Sequence, residues 1–78
     1  MKSIEPLMVD ARGHRCPVPT LRLARALQRA AAGQVVRLLA DDPMARIDVP
    51  HFAAGQDCQL LEISQDGDWF VFDVRKGH

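Results

Sequence analysis

The fold of this chain is decided where its first strand gives way to its first helix, and there residues 10–19 read Asp10-Ala11-Arg12-Gly13-His14-Arg15-Cys16-Pro17-Val18-Pro19. Proline is favoured at the first position of a helix, because its missing N–H would have no partner there. We therefore expect a helix to begin at Pro17, with Cys16 at its N-terminus. The positive end of a helix and nearby cations both lower the pKa of a cysteine thiol. With Arg12, His14 and Arg15 close by, Cys16 is predicted to carry a reactive thiolate.

The flanking residues predict a strand before this stretch and an amphipathic helix after it. Leu7–Asp10 is typical of a short strand, and the Arg12-Gly13 pair predicts the turn that follows. Downstream, apolar residues recur at helical spacing up to Gly33, which supplies the helix stop. The predicted core face holds Thr20, Leu21, Leu23, Ala24, Leu27 and Ala31. The opposite side, called here the arginine face, holds Arg22, Arg25 and Arg29.

The middle of the chain predicts a central strand and a second helix. The mostly apolar run Val35–Ala40 is typical of a buried strand. Asp42 and Pro43 suit the N-cap and the first position of a helix that ends at Gly55. We expect this helix to be short, kinked or broken at Pro50, which cannot donate a helical hydrogen bond. Its predicted core residues are Ile47, Val49 and Phe52.

The end of the chain predicts a hairpin of two strands, Cys58–Ser64 and Trp69–Arg75. The Asp66-Gly67 pair between them is a strong signal for a two-residue turn in which both central residues take positive φ. Connections through helices make the early strands parallel, whereas the hairpin is antiparallel. The order β-α-β-α-β-β predicts an α+β fold: a two-layer sandwich with a mixed four-stranded sheet and both helices on one face. We expect a single domain over residues 1–78.

Composition narrows the function classes. The 78 residues include 10 Lys or Arg and 10 Asp or Glu, so the chain lacks the cation excess that a nonspecific nucleic-acid surface requires. Its 2 cysteines are too few for a disulfide-rich secreted scaffold. We recognise no signal-peptide core, membrane-spanning stretch or motif for a metal, nucleotide or flavin. We expect a cytoplasmic protein with no cofactor, no metal, no membrane insertion and no direct nucleic-acid contact.

Three blocks of the sequence resemble one family. The first, Asp10-x-x-Gly13-x-x-Cys16-Pro17-x-Pro19, is similar to the signature of the TusA-like sulfur carriers, also called SirA-like. The second resembles the family's other recurrent block and runs from Asp41-Asp42-Pro43 through Asp48-Val49-Pro50-x-Phe52 to Gly55. The third, similar to the family's terminal strand, is Phe72-x-Val74-Arg75-Lys76-Gly77. These blocks follow the family's order over nearly the whole chain.

The resemblance implies a small cytoplasmic sulfurtransferase-type carrier with the same sandwich fold. Family members accept sulfane sulfur as a cysteine persulfide from a cysteine desulfurase or a rhodanese-like enzyme, and pass it to a further sulfur acceptor. In one branch the relay ends in 2-thiouridine of certain tRNAs, and other branches serve sulfur oxidation, thiosulfate use or molybdenum-cofactor maturation. Cys16 matches the persulfide-carrying cysteine of the family.

Two other functions stay open on the residues alone. The chain could be a regulatory or binding module that uses the same fold and moves no sulfur. It could also be a thiol redox sensor in which Cys16 pairs with Cys58, although Cys58 is more simply a core or edge residue of its strand. A buried, inert Cys16 is the remaining structural alternative.

The residues around Cys16 have structural interpretations of their own. We expect Asp10 to fix the turn by bonding nearby backbone, and Gly13 to supply a conformation that other residues disfavour. The Asp41-Asp42-Pro43 block caps the second helix and could also border the cysteine, since both helices begin where strands end. The arginine face is most simply a solvated surface, with docking against acidic partners as the alternative.

Overall fold

A computed structural model describes residues 5–77. It contains strand β1 (Leu7–Asp10), helix α1 (Val18–Arg29), strand β2 (Val35–Ala40), helix α2 (Ala45–Ala54), strand β3 (Cys58–Asp66) and strand β4 (Trp69–Lys76). The strands form one sheet in the order β1-β2-β4-β3. β1 runs parallel to β2, whereas β4 is antiparallel to both of its neighbours. The predicted α+β class, element order and mixed four-stranded sheet are confirmed.

The core lies between one face of the sheet and the two helices. Side chains two apart on a strand and four apart on a helix share a face, so each element buries one row. The sheet contributes fully buried side chains from its two central strands, namely Val36, Leu38, Ala40, Phe72 and Val74. The helices cover them with Leu23, Leu27, Ala45 and Val49. The other sheet face carries an ion pair between Arg37 and Asp73, with an N···O distance of 2.8 Å.

Three predicted core residues face solvent instead. Ala31 is exposed and lies two residues beyond the end of α1 at Arg29. Leu21 is 62% exposed and Ile47 is 63% exposed. Leu21 lies two positions before Leu23, which is in the middle of the buried row of α1, and Ile47 lies two positions before Val49 in α2. A residue two positions away points to roughly the opposite side of a helix. The predicted apolar arcs are too broad, because each helix buries a single row against the sheet.

Both helices begin later than predicted. α1 starts at Val18, so Pro17 occupies the N-cap position rather than the first helical position. α2 starts at Ala45 after a turn, so Asp42 is not its N-cap residue. Asp42 instead accepts a hydrogen bond from the Met44 N–H at 3.1 Å. Its carboxylate therefore stabilises the turn that precedes α2 and does not cap the helix itself.

α2 accommodates Pro50 without a break. The helix is 10 residues long and continues on both sides of the proline. Pro50 lacks the N–H that would reach back to the Arg46 carbonyl, which limits the stability of such a helix. The predicted shortness of this element is confirmed, and the structure does not interrupt it at the proline.

The β3–β4 hairpin turns one residue later than predicted. Asp66 pairs with Trp69 across it, so Gly67 and Asp68 are its central residues. Gly67 has φ of 63°, and no non-glycine residue in the described part of the chain has positive φ. A turn with a left-handed residue only at its first central position is of type II′. The predicted hairpin is confirmed, and the predicted turn with two positive φ values is wrong.

Gly67→Ala is expected to lower the free energy of unfolding by about 1 kcal/mol, because an L side chain is strained at positive φ. Gly55→Ala is the matched control: Gly55 has φ of −97°, and an added Cβ would meet only the Phe52 carbonyl oxygen at 3.8 Å. Urea denaturation of the two variants measures the difference. Equal midpoints would show that the turn does not depend on left-handed backbone.

The helices are short in relation to a bilayer. Within residues 5–77, none is long and apolar enough to cross a membrane. Residues 1–4, on which the expectation about a signal peptide partly rests, lie outside the described residues.

Candidate functional site at Cys16

The Cys16 loop, residues 11–17, lies where the parallel strands β1 and β2 end. The Ala11 N–H donates to the Leu39 carbonyl at 2.8 Å, which extends the β1–β2 pairing by one residue. The segment 41–44 leaves β2 at the same edge. Because the carboxyl ends of neighbouring parallel strands meet at one edge of a sheet, the fold brings these two loops together.

One carboxylate holds the backbone of Cys16. The Cys16 N–H donates to Asp42 Oδ2 at 2.7 Å, and the Met44 N–H donates to Asp42 Oδ1 at 3.1 Å. These two backbone donors lower the pKa of the Asp42 carboxyl, the bond from Cys16 most strongly. Asp42 therefore ties the turn before α2 to the cysteine, and the interpretation that this block borders Cys16 is confirmed.

The neighbouring carboxylate holds the middle of the Cys16 loop. The Gly13 N–H lies 3.0 Å from Asp41 Oδ1 and 3.1 Å from Asp41 Oδ2. Gly13 has φ of 84°, a conformation that residues with a Cβ rarely adopt. The predicted backbone role of Gly13 is confirmed. Two successive aspartates thus fix the loop at two points.

The start of the loop is held by an ion pair. Arg12 donates through Nε and Nη2 to the two oxygens of Asp10 at 2.9 and 2.8 Å, and its backbone N–H also donates to Asp10 Oδ1 at 3.1 Å. The Arg12 side chain holds the pKa of the Asp10 carboxyl at about 2. The guanidinium carbon lies 4.6 Å from the centroid of the Trp69 ring, within range of a cation–π contact. The predicted structural role of Asp10 is confirmed.

The surroundings of the Cys16 thiol are acidic, and the prediction of a lowered pKa is wrong. Burial raises the pKa of Cys16 to about 11, together with the carboxylates of Asp48 and then Asp42. Burial and negative neighbours both disfavour a thiolate. The N-terminus of α1 is also farther from Cys16 than predicted, because the helix begins at Val18. Arg15 acts on the Asp42 carboxyl, whose pKa it helps to lower.

Asp48 is the site residue that the sequence interpretation missed. It is half-buried in the first turn of α2, and its carboxylate helps to raise the pKa of the Cys16 thiol. An acidic residue in the first turn of a helix is ordinary, because it complements the positive end of the helix. Its position in the sequence therefore gives no sign of a role. Only the packing of α2 beside the Cys16 loop brings it to the thiol.

Asp48→Asn is expected to lower the pKa of the Cys16 thiol by about one unit, because one of two nearby negative charges is removed. Each unit raises the thiolate population at neutral pH about tenfold but lowers its nucleophilicity, so alkylation should speed up about threefold. The rate of alkylation by iodoacetamide, followed over a series of pH values, gives both the pKa of the thiol and its reactivity. Glu62→Gln, which removes a charge on the other sheet face, is the control. An unchanged profile in Asp48→Asn would contradict the assignment.

Cys58 lies at the other end of the sheet from Cys16. It pairs with Lys76 at the start of β3, and burial followed by the charge of Asp57 raises the pKa of its thiol. The Cys16 loop instead follows Asp10, beyond the far end of the 6-residue strand β2. That strand spans about 20 Å, whereas a disulfide requires Cα atoms within about 7 Å. The geometry opposes the redox sensor built on a Cys16–Cys58 bond.

The site therefore offers one half-buried thiol on a rigid loop. Both cysteines are free thiols. In the part of the chain that the structure describes, no group of three or more His, Cys, Asp and Glu side chains could hold a metal ion. His14 and Arg15 are exposed on the same loop. The arrangement places a thiol, a group capable of covalent chemistry, beside the carboxylates of Asp42 and Asp48, which help to raise its pKa.

Comparison with known proteins points to one family. The family model described as "Sulfurtransferase TusA" matches residues 8–76. The "Sulfur carrier protein TusA" of Pseudomonas putida is 33% identical over 69 residues, which cover 88% of this chain and 86% of the relative. A "Putative sulfur carrier protein" of Archaeoglobus fulgidus is 30% identical over 70 residues, covering 90% of this chain and 96% of the relative.

A solved structure shares the fold. The crystal structure of a SirA-like protein from Desulfitobacterium hafniense superposes with a TM-score of 0.70 at 29% sequence identity. The match covers 92% of this chain and 99% of that protein. The likeness thus extends over most of the chain and supports the same α+β fold.

Proposed function

Because the chain belongs to the sulfurtransferase TusA family, we propose that it relays sulfur as a persulfide on Cys16, taking it from a donor protein and passing it to an acceptor. The observation that carries this proposal is the placement of Cys16. Its half-buried side chain lies on a loop held by Asp41 and Asp42, and the resemblance of residues 10–19 to the family signature supports Cys16 as the carrier cysteine. A rigid loop presents the sulfur in one orientation to each partner in turn.

The loading step exchanges one sulfur between two thiols. Cys16 gives up its proton, its sulfur attacks the outer sulfur of the donor's persulfide, and the S–S bond of the donor breaks. The donor leaves as a thiolate and takes up a proton, so that a thiol and a persulfide become a persulfide and a thiol with no net oxidation. Unloading is the same exchange with an acceptor thiol. Neither step requires a cofactor.

The raised pKa of Cys16 makes both exchanges depend on docking. At neutral pH a thiol with a pKa of about 11 is almost entirely protonated and reacts slowly with small oxidants and electrophiles. A donor that neutralises the carboxylates of Asp42 and Asp48, or that brings a base to the thiol, would release the thiolate where it is needed. The carrier is thereby unreactive alone and reactive in a complex.

The partners follow from the chemistry and the family. The donor is a protein that forms a persulfide, of the cysteine desulfurase or rhodanese-like class, and the acceptor is a second protein with a reactive thiol. Thiolation of tRNA in the cytoplasm is one destination for the sulfur, and the carrier would reach it through that acceptor without contacting RNA itself. The balanced charge of the chain supports an indirect role.

Sulfur loading in a purified system tests the proposal. The full chain is incubated with a cysteine desulfurase and radiolabelled cysteine, and separately with a rhodanese-like enzyme and thiosulfate. The expected result is a mass increase of one sulfur atom that is removed by a reducing agent and maps to the peptide containing Cys16. Loading on Cys58, or no loading from either donor class, would contradict the proposal.

A further inference from the structure

A second surface of the molecule lies along the outer side of α1, apart from the thiol of Cys16. It is a groove of about 820 Å³ between α1 and the edge strand β1. Three features of this groove point to a ligand: its exposed apolar side chains, its strand edge and its charge. The residues that line it include Met8, Leu21, Arg22, Arg25 and Arg29.

The apolar part of the groove is open to solvent. Met8 is 55% exposed and Leu21 is 62% exposed, although both side chains are large and apolar. Covering such a side chain removes apolar surface from water, which favours binding. Met8 on β1 and Leu21 on α1 line the same groove. One partner could therefore cover both side chains at once.

The strand edge in the groove has unused pairing capacity. Among residues 5–77, β1 lies at the edge of the sheet and pairs only with β2. The Ala11 N–H points inward to the Leu39 carbonyl, so the backbone groups of Met8 and Asp10 alternate to the outer side. The Arg22 guanidinium donates to the outward Asp10 carbonyl at 2.8 Å. The outer side of Met8 is thus presented to an added strand.

The charge of the groove is one-sided. α1 contains Arg22, Arg25 and Arg29 and no Asp or Glu, although the chain as a whole is balanced. Neighbouring arginines three and four positions apart on a helix repel one another. Asp10 lines the same groove, but its carboxylate is already bonded to Arg12. An anionic ligand would relieve this repulsion, whereas α1 itself contains no carboxylate that could do so.

We propose that the groove binds an extended acidic segment of a partner protein. The segment adds a strand to the outer edge of β1, lays apolar side chains on Met8 and Leu21, and places carboxylates on Arg25 and Arg29. This binding goes beyond the relay of sulfur and makes no use of the Cys16 thiol. Among the described residues that line the groove, none is aromatic, so single-stranded RNA would find no ring on which its bases could stack.

A titration with a short synthetic peptide of alternating glutamate and valine tests the proposal. The full chain is labelled with ¹⁵N, and the peptide is expected to shift the amide signals of Met8, Asp10 and Leu21. Arg25→Glu with Arg29→Glu should weaken binding about tenfold, through lost attraction and new repulsion. Raising the salt concentration should weaken binding to the unmodified chain, because exposed charges are screened.

Arg46→Glu with Arg75→Glu is the matched control, since it changes the net charge equally on other elements. This variant should bind the acidic peptide close to normally. Equal weakening in both variants, equal binding of a lysine–valine peptide, or shifts confined to another face would overturn the proposal. Tighter binding of a single-stranded RNA probe, or occupation of the groove by a second copy of the chain, would replace the acidic segment with a different ligand.

Discussion

Cys16→Ser is expected to abolish sulfur loading, whereas Cys58→Ser is expected to leave it unchanged. A serine hydroxyl cannot attack a sulfane sulfur to form a persulfide, so no residual loading is expected at position 16. Cys58 lies at the other end of the sheet, with its Sγ 3.8 Å from the Ala53 carbonyl oxygen. Intact mass after incubation with the donor enzyme measures the difference between the two variants.

The same pair of variants separates lost chemistry from lost structure. The hydrogen bond to Asp42 comes from the backbone N–H of Cys16, and a serine keeps it. Cys16→Ser should therefore keep the stability of the chain and its affinity for the donor protein. Both can be checked by thermal unfolding and by titration calorimetry. Loss of donor affinity along with loading would mean that Cys16 maintains the docking surface.

The regulatory alternative predicts a different outcome in cells. A binding module that moves no sulfur should work equally well with Cys16→Ser, because its backbone and neighbours are retained. A sulfur carrier should fail with Cys16→Ser and recover with the unmodified chain. A sulfur-dependent phenotype rescued equally by both forms would favour the regulatory alternative even if loading occurs in the test tube.

The order of strands and helices is predictable because local signals mark it. Gly33 has positive φ after α1, and Gly67 turns the hairpin. The prolines locate the first residue of a helix less exactly, because proline is compatible with more than one position near a helix N-terminus. Pro17 precedes α1 instead of opening it. Such signals fix which elements exist more firmly than where each begins.

The environment of the thiol could not be predicted from the same local signals. The expectation for Cys16 used its sequence neighbours and the end of α1. The carboxylates that act on the thiol belong to Asp48, in α2, and to Asp42, in the segment 41–44 after β2, and folding of the sheet brings both to the thiol. A pKa depends on distance in space, and a charge that is distant in sequence can outweigh an adjacent one.

The partial exposure of apolar side chains has a similar origin. Leu21 and Ile47 fit the apolar patterns of their helices, and both are exposed. How wide a face a helix buries depends on the sheet beneath it. Here β3 and β1 lie at the edges of the sheet, and each helix covers the strands with one row of side chains. The sequence pattern alone does not predict how wide a face of each helix is buried.

Phe72→Ala is expected to lower the free energy of unfolding by about 3–5 kcal/mol. Phe72 is fully buried on β4, which pairs with both β2 and β3. Its ring centroid lies 6.5 Å from that of Phe70. A chain of this length has a total stability of about 4–12 kcal/mol. The cavity would therefore remove a large part of the stability, as measured by urea denaturation.

Ile63→Ala is the matched control for Phe72→Ala. Ile63 lies directly across from Phe72 in the β3–β4 register, but it is 41% exposed on an edge strand. Its truncation opens no enclosed cavity and should cost about 1 kcal/mol or less. The folded fraction of Phe72→Ala should still load sulfur on Cys16 at the normal rate, because no side chain of the Cys16 loop changes. Similar losses of stability in the two variants would show that burial of the Phe72 ring does not hold the two layers together.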